Sequence, residues 1–381
     1  MENSLDLLKI RDEIDAIDSQ IIELYEKRMG ACQDVARYKI ANGKEVLDRN
    51  REAQKIEKVV EATKNPDNRL GVEELFTHIM SISRKMQYHM LMENGVDNPI
   101  PFEKVQRLPK LDGDVKVVYQ GVPGAYSHQA MMQYFGEDVD HFHVPTFREA
   151  MEAIRDEKAD YAVLPIENTT AGIVNDVYDL LVEFDNIIVD YTDVIVQHAL
   201  LGLPNADMDQ ICVVYSHPQG LMQCSRFLDE HKQWQRIAQA NTAGSAKKVL
   251  EEGNPRHAAI ASTNAAKVYG LKVLQENINY NDKNTTRFII VSKNKIFRED
   301  ASRISICFAL SNESGTLYNL LAHFTYNGLN MTKIESRPIP EKPFEYRFFV
   351  EFEGNLEDSG VRNAIKGIKC ESNECKVIGN F

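Results

Sequence analysis

SLDLLKIRDEIDAIDSQIIELYEKRMGACQDVARYK, Ser4 to Lys39, is the stretch on which the fold of this chain turns. Ser4 suits an N-cap, Asp6 brings negative charge to the first turn, and neither Gly nor Pro interrupts the stretch before Gly30. One long helix is predicted, ending near Asn42-Gly43, where glycine takes up the left-handed C-terminal conformation. Steps of four and three from Leu7 reach Arg11, Ile14, Asp18, Ile21, Tyr25, Arg28, Cys32, Val35 and Lys39, all on one stripe. Leu7, Ile14, Ile21, Tyr25 and Val35 mark that stripe as a buried face, and cations in a buried face need anions. A bound anionic ligand would supply them; a coiled-coil seam with the basic side chains snorkelling to its edges is the competing reading. At about 1.5 Å per residue the helix is roughly 50 Å long, more than a small domain can cover, so a second chain is expected against it.

Length and composition set the frame. The 381 residues predict two or three domains, and 43% hydrophobic residues supply real cores. A net charge of -13 argues against nucleic acid as a general partner, so any anionic ligand must meet locally concentrated cations. The six cysteines, Cys32, Cys212, Cys224, Cys307, Cys370 and Cys375, form no CxxC pair and no zinc-ligand spacing, which predicts reduced thiols and no metal. No apolar signal core opens the chain and no run reaches membrane-spanning length, so a soluble, cytoplasmic protein without a membrane partner is expected.

Beyond Gly43 a second helix is predicted from Asp48 toward Thr63, broken at Asn65-Pro66, and a third from Val72 to Met92. Asp48, Arg51 and Glu52 share a face of the second, and Ser83 and Gln87 a face of the third. Each pair alone is what a solvated helix surface also carries. Together, Arg11, Arg28, Lys39, Asp48, Arg51, Glu52, Ser83 and Gln87 in this order resemble the all-helical chorismate mutase family over roughly the first ninety residues. The resemblance implies two intertwined chains, with Arg11 reaching the site of the opposite chain. It also implies chorismate as substrate, rearranged to prephenate by a concerted Claisen shift that needs no nucleophile, general base or cofactor. Holding the reactive conformer and stabilising charge on the breaking ether oxygen then suffice. By the same resemblance Lys39 and Gln87 donate to that oxygen, Arg11, Arg28 and Arg51 with Ser83 hold carboxylates, and Asp48 and Glu52 receive the ring hydroxyl or orient their neighbours.

From Glu93 to Asp114 the periodicity fades and Gly95, Pro99, Pro101, Pro109 and Gly113 accumulate, which reads as a linker. Short apolar runs then alternate with helical stretches over about 115–296: VKVVY at 115–119, YAVLP at 161–165, IIVDYTDVIV at 187–196, ICVVY at 211–215, HAAIAS at 257–262 and FIIVS at 288–292. These predict a mostly parallel α/β arrangement whose ligand lies at the carboxyl ends of strands. Polar clusters follow several runs: GVPGAYSH at 121–128, PIENTTAG at 165–172, SHPQGLMQC at 216–224, TAGSA at 242–246 and TRF at 286–288 just before its strand. None is a dinucleotide fingerprint. Their combination resembles the prephenate dehydratase family over the whole module. That implies two α/β lobes around a cleft, similar to periplasmic solute-binding proteins, and conversion of prephenate to phenylpyruvate with loss of hydroxyl and carbon dioxide. Glu167, Asn168, Ser216, Gln223, Thr286 and Arg287 carry over as site residues. Thr286 is the family's candidate proton donor and acts here as a positioned hydrogen-bond donor, since a plain hydroxyl is a poor acid.

The last stretch, about 299–381, predicts β-α-β-β-α-β from ISICFAL at 304–310, a helix over 316–326, a strand around 331–335, FEYRFFVEFEG at 344–354, a helix near 357–366 and a strand at 376–378. It resembles the ferredoxin-like ACT regulatory domain, with Gly315-Thr316-Leu317 at its Gly-Ala-Leu position and Glu335-Ser336-Arg337-Pro338 as its ESRP motif. Thr316 replaces the common Ala, and Ser314 stands where Pro is frequent. The resemblance implies phenylalanine bound between two such domains; a dimerisation module without ligand is the alternative. The expectation is therefore a bifunctional mutase and dehydratase, inhibited by phenylalanine and dimeric or larger. Its competitors are a mutase fused to prephenate dehydrogenase, for which no dinucleotide motif is found, and a binding protein that senses an aromatic acid.

Overall fold

The chain is described by a computed structural model covering residues 6–95, 100–109, 115–340 and 342–381. It divides into two compact units, Met1–Ile100 with Ser305–Val377, and Pro101–Ile304 with Ile378–Phe381.

In the first unit, helix α1 spans Leu7–Asn42, α2 Arg49–Ala62 and α3 Arg69–Glu93. Ser4 lies outside the described residues. Asp6, expected in the first turn, is itself the N-cap: its carboxylate accepts from the Leu8 N–H at 3.1 Å. Gly43 closes α1 in the left-handed region, and Asp48 caps α2 by accepting from the Arg51 N–H at 3.0 Å. A 3-10 turn at Pro66–Asn68 separates α2 from α3, as Asn65-Pro66 predicts.

The stripe on α1 is largely uncovered within one chain. Within one chain only Ala36 of α1 is buried, while Leu7, Ile14, Ile21 and Val35 are about half exposed. The reason is length: α3 packs on α1 and α2, but 25 and 14 residues cannot cover a helix of 36.

The same unit holds strands Arg303–Leu310, Met331–Pro338, Tyr346–Glu353 and Glu374–Asn380, with helices Thr316–Tyr326 and Ser359–Glu371 after the first and third strands. The sheet order is second, third, first, fourth, and Pro338 pairs antiparallel with Tyr346. Both of these helices also pack on α3.

The second unit consists of two lobes. In the first, strands run in the order Ile187–Ile195, Thr285–Ser292, Tyr161–Asn168, Lys116–Gln120, Asp140–Val144. In the second the order is Lys272–Gln275, Ala199–Gly202, His257–Ala261, Val213–Ser216, Gln235–Ala238. Each sheet is mixed, which corrects the mostly parallel expectation: Thr285–Ser292 runs antiparallel to both neighbours, and so does Ala199–Gly202. The cause is topological. The chain leaves the first lobe after Ile195 and returns at Thr285, so each entering strand starts where the lobe's own parallel strands end.

Two boundaries also shift. The expected linker contains strand Glu103–Val105, parallel to Ile296–Arg298, and Leu108 is buried in the first lobe's core. Three residues are too few for periodicity to register. The TRF cluster lies inside strand Thr285–Ser292, not before it, and Glu167 and Asn168 end the strand opposite.

The GVPGAYSH segment joins the lobes. Ser262 Oγ donates to the Gly124 carbonyl at 3.1 Å and Tyr269 Oη to the Pro123 carbonyl at 2.8 Å. Gly124 has φ +84°, and a Cβ there would stand 2.9 Å from Ala265 Cα. Gly124→Ala should cost this unit at least ~2 kcal/mol, since both backbone conformation and contact oppose a side chain. Urea unfolding checks this, and an unchanged midpoint would mean that the loop yields freely.

Candidate functional site

Three clusters emerge. In the helical module, Lys39 Nζ donates to the Val46 carbonyl at 2.6 Å, leaving N–H bonds for other acceptors. Burial lowers its pKa, while the charges of Asp48, Glu52 and Cys32 oppose that fall. Lys39, Asp48 and Glu52 are therefore electrostatic neighbours. On α3, Ser83 and Gln87 are both buried, with Gln87 Nε2 donating to Ser83 Oγ at 3.1 Å and Gln87 Oε1 without a partner. A buried amide oxygen left unpaired is costly, and the reversed amide would accept from Ser83 Oγ. Arg28, half buried, lies 3.8 Å from Cys32 Sγ, and Arg51 is exposed. Arg11 is not part of this group: it stands 28 residues before Lys39 on the same helix, about 42 Å along the axis. Glu52, expected to face a ligand, is ion-paired with Arg84 at 2.5 Å.

In the second unit, Asn168 sits opposite Thr286 across adjacent strands. Asn168 Oδ1 accepts from the Thr170 and Ala171 N–H groups at 2.9 and 2.8 Å, which fixes the amide so that Nδ2 donates to Thr286 Oγ1 at 2.8 Å. A hydroxyl that accepts in this way has its own proton free to donate elsewhere, and polarisation through the chain strengthens that donor. Gln223 Oε1 is 2.8 Å from His198 Nε2, and His198 Nδ1 is 3.1 Å from Tyr126 Oη. Burial lowers the His198 pKa against the Gln223 hydrogen bond, which keeps the imidazole neutral.

Two expected roles change here. Ser216 is fully buried, its hydroxyl donating to the Ile260 carbonyl at 2.8 Å, and a Cβ on Gly220 would meet its Oγ. It locks the second lobe's strands and seats the helix bearing Gln223; it presents no proton to the cleft. Arg287 is held by Asp193 through two bonds of 2.9 and 3.0 Å and lies over the Tyr191 ring. Alternation along the strand sends Arg287 and its opposite residue Glu167 to the other face from Thr286 and Asn168.

In the β-α-β-β-α-β module, Gly315 has φ +79° at the start of helix Thr316–Tyr326. A cavity of about 340 Å³ is lined by Gly315, Thr316 and Leu317 with Phe344, Tyr346 and Phe348. Glu335, Ser336, Arg337 and Pro338 are not among its lining residues; they lie on strand Met331–Pro338, whose partner in the sheet is Tyr346–Glu353.

Arg84, Glu371, Asp193, His198 and Tyr126 were not singled out from sequence. Arg84 adjoins Ser83 and shares a face with Met80, Tyr88 and Leu91, a signal like that of Arg11. Glu371 comes 287 residues after its partner, a separation at which no spacing pattern carries information.

Comparison with known proteins matches two of these regions. The family model for prephenate dehydratase matches residues 117–296, and that for chorismate mutase type II residues 10–88. A bifunctional chorismate mutase/prephenate dehydratase from Buchnera aphidicola (subsp. Schizaphis graminum) is 31% identical, covering 100% of this chain and 97% of the relative. That of Escherichia coli K12 is 31% identical over 98% of this chain and 96% of its own. Among solved structures, the prephenate dehydratase of Arthrobacter aurescens in complex with L-Phe superposes with a TM-score of 0.65 at 29% identity, over 70% of this chain and 89% of that one. With both modules matched in order and relatives aligned end to end, this chain belongs to the bifunctional chorismate mutase/prephenate dehydratase family and has both activities.

Proposed function

We propose that residues 1–92 form the mutase, 115–296 the dehydratase and 299–381 a ferredoxin-like ACT regulatory domain. The enzyme works in the cytoplasm as at least a homodimer, without a cofactor. The observation that carries the dehydratase assignment is the oriented Asn168 amide donating to Thr286 Oγ1. Prephenate would lie in the cleft with its departing hydroxyl against the Thr286 proton, and His198 with Gln223 would flank it as neutral, buried dipoles. Proton donation to that hydroxyl assists its departure as the ring carboxylate leaves as carbon dioxide and the ring becomes aromatic. Arg287, steadied by Asp193, contributes positive charge from the neighbouring face, with Glu167 beside it.

For the mutase, Lys39 and Gln87 act on the ether oxygen, Arg28 and Arg51 with Ser83 hold carboxylates, and Asp48 and Glu52 meet the ring hydroxyl or orient their neighbours. A half-turn of the Gln87 amide lets Ser83 donate to its oxygen and aims the NH2 group at the ether oxygen. Arg11 completes the site of a second copy, because about 42 Å of helix separates it from Lys39 in its own chain. The same pairing covers the exposed stripe of α1. Phenylalanine is the effector, bound where Gly315 and Leu317 meet Glu335, Ser336, Arg337 and Pro338 of a second copy; the Arthrobacter aurescens neighbour, solved with L-Phe, supports an amino acid of this kind.

The test is to mix the protein with chorismate and follow prephenate and phenylpyruvate without added nucleotide, with and without phenylalanine. Prephenate that goes no further, or product unaffected by phenylalanine, would remove the corresponding part of this reading. Gln87→Glu probes the mutase site more sharply. A carboxylate facing the developing oxyanion repels it until protonated, so mutase activity of the variant should rise toward acid pH. A flat profile would mean that residue 87 does not face the ether oxygen.

A further inference from the structure

Arg84 follows Ser83 and precedes Gln87 by three residues, and its hydrogen bonds go to neither. Its guanidinium is buried and divided between two carboxylates: Nη1 donates to Glu52 Oε2 at 2.5 Å, Nε to Glu371 Oε1 at 2.8 Å and Nη2 to Glu371 Oε2 at 3.3 Å. Glu52 belongs to α2. Glu371 is the last residue of helix Ser359–Glu371 in the regulatory module.

Nothing local favours a carboxylate there. The C-terminal end of a helix dipole repels negative charge, and burial opposes ionisation. Against that burial, His323 and Arg84 hold the Glu371 carboxyl down at about 2, so it is charged at neutral pH. His323 Nε2 lies 3.3 Å from Oε1, in space that a Cβ on Gly367 would fill, and Arg49 Nη2 donates to the Glu371 carbonyl at 3.4 Å. One helix end of the regulatory module thus grips both α2 and α3.

A guanidinium presents its donors in a rigid plane, so two bonds to one carboxylate determine where the remaining donors point. With Nε and Nη2 both on Glu371, the guanidinium plane is set, and within it Nη1 donates to Glu52. We propose that Arg84 is a positioning residue of the mutase site and that Glu371 orients it, so that the regulatory module sets where Glu52 stands and how tightly chorismate binds. This rests on the reading of Glu52 as a residue that holds substrate.

The experiment uses the full chain with Glu52→Gln, Glu371→Gln, the double variant and Arg84→Lys, measuring kinetics on chorismate and, separately, on prephenate. Glu371→Gln should raise the KM for chorismate about five- to tenfold with kcat within twofold, and leave both constants for prephenate unchanged. Arg84→Lys, which keeps charge but loses the fork, should do the same and serves if Glu371→Gln folds poorly. The double variant should be no worse than Glu52→Gln alone, because Glu371 acts through Glu52; a merely structural Glu371 would instead multiply the two losses. Parental chorismate kinetics in Glu52→Gln would overturn the substrate-holding reading and the proposal with it. An impaired Glu52→Gln beside parental Glu371→Gln and Arg84→Lys would overturn the positioning role alone.

Discussion

Lys39→Ala should lower chorismate rearrangement by at least ~100-fold, the scale of losing an electrostatic donor at a developing oxyanion, while prephenate should still be converted to phenylpyruvate. Lys39 is held in place by the Val46 carbonyl and lies within the field of Asp48 and Glu52, so its cation is pre-oriented and costs no reorganisation during reaction. In the role proposed for Lys39 the acting form is the charged one. Because burial lowers the Lys39 pKa, and Asp48 and Glu52 only partly restore it, mutase activity should fall as pH rises through a value below the ordinary 10.5 of lysine. Lys39→Arg should abolish that alkaline limb, since guanidinium stays charged, even though its shape lowers the rate. Near-normal turnover in the alanine variant, or an alkaline limb that persists in the arginine variant, would take Lys39 out of the mechanism.

Thr286→Val removes one hydroxyl at nearly constant volume and should reduce phenylpyruvate formation by ~100-fold or more, within the usual contribution of a positioned proton donor. Prephenate then accumulates from chorismate, because the mutase residues lie in the other unit. Thr286→Ser keeps the donor and the Asn168 bond and should retain most activity. The comparison isolates the hydroxyl from packing: Thr286 is buried, and valine preserves its shape but leaves Asn168 Nδ2 with only the 3.3 Å contact to the Thr285 carbonyl. If the valine variant keeps more than half of the dehydratase rate, the donor lies elsewhere, and His198 becomes the next residue to replace. Equal loss of both activities would indicate misfolding instead.

What the sequence determined alone was whatever rests on local rules. Helix periodicity, the Asn65-Pro66 break and the Gly43 stop yielded α1, α2 and α3 to within a few residues, and the short apolar runs marked most strands of the second unit. Ordered polar motifs identified both catalytic modules, because each family spaces its residues along a chain that folds locally. Tertiary structure decided what depends on partners far apart in sequence. Strand direction in both lobes follows from where the chain crosses between them, which no run of residues encodes. Arg287 met Asp193 instead of standing open, Ser216 spent its hydroxyl on Ile260, and Arg84 met both Glu52 and Glu371, the latter from the far end of the chain. A side chain's chemistry is legible in its type, but whether its donors and acceptors remain available depends on which groups are buried beside it, and burial is decided only when the whole chain packs.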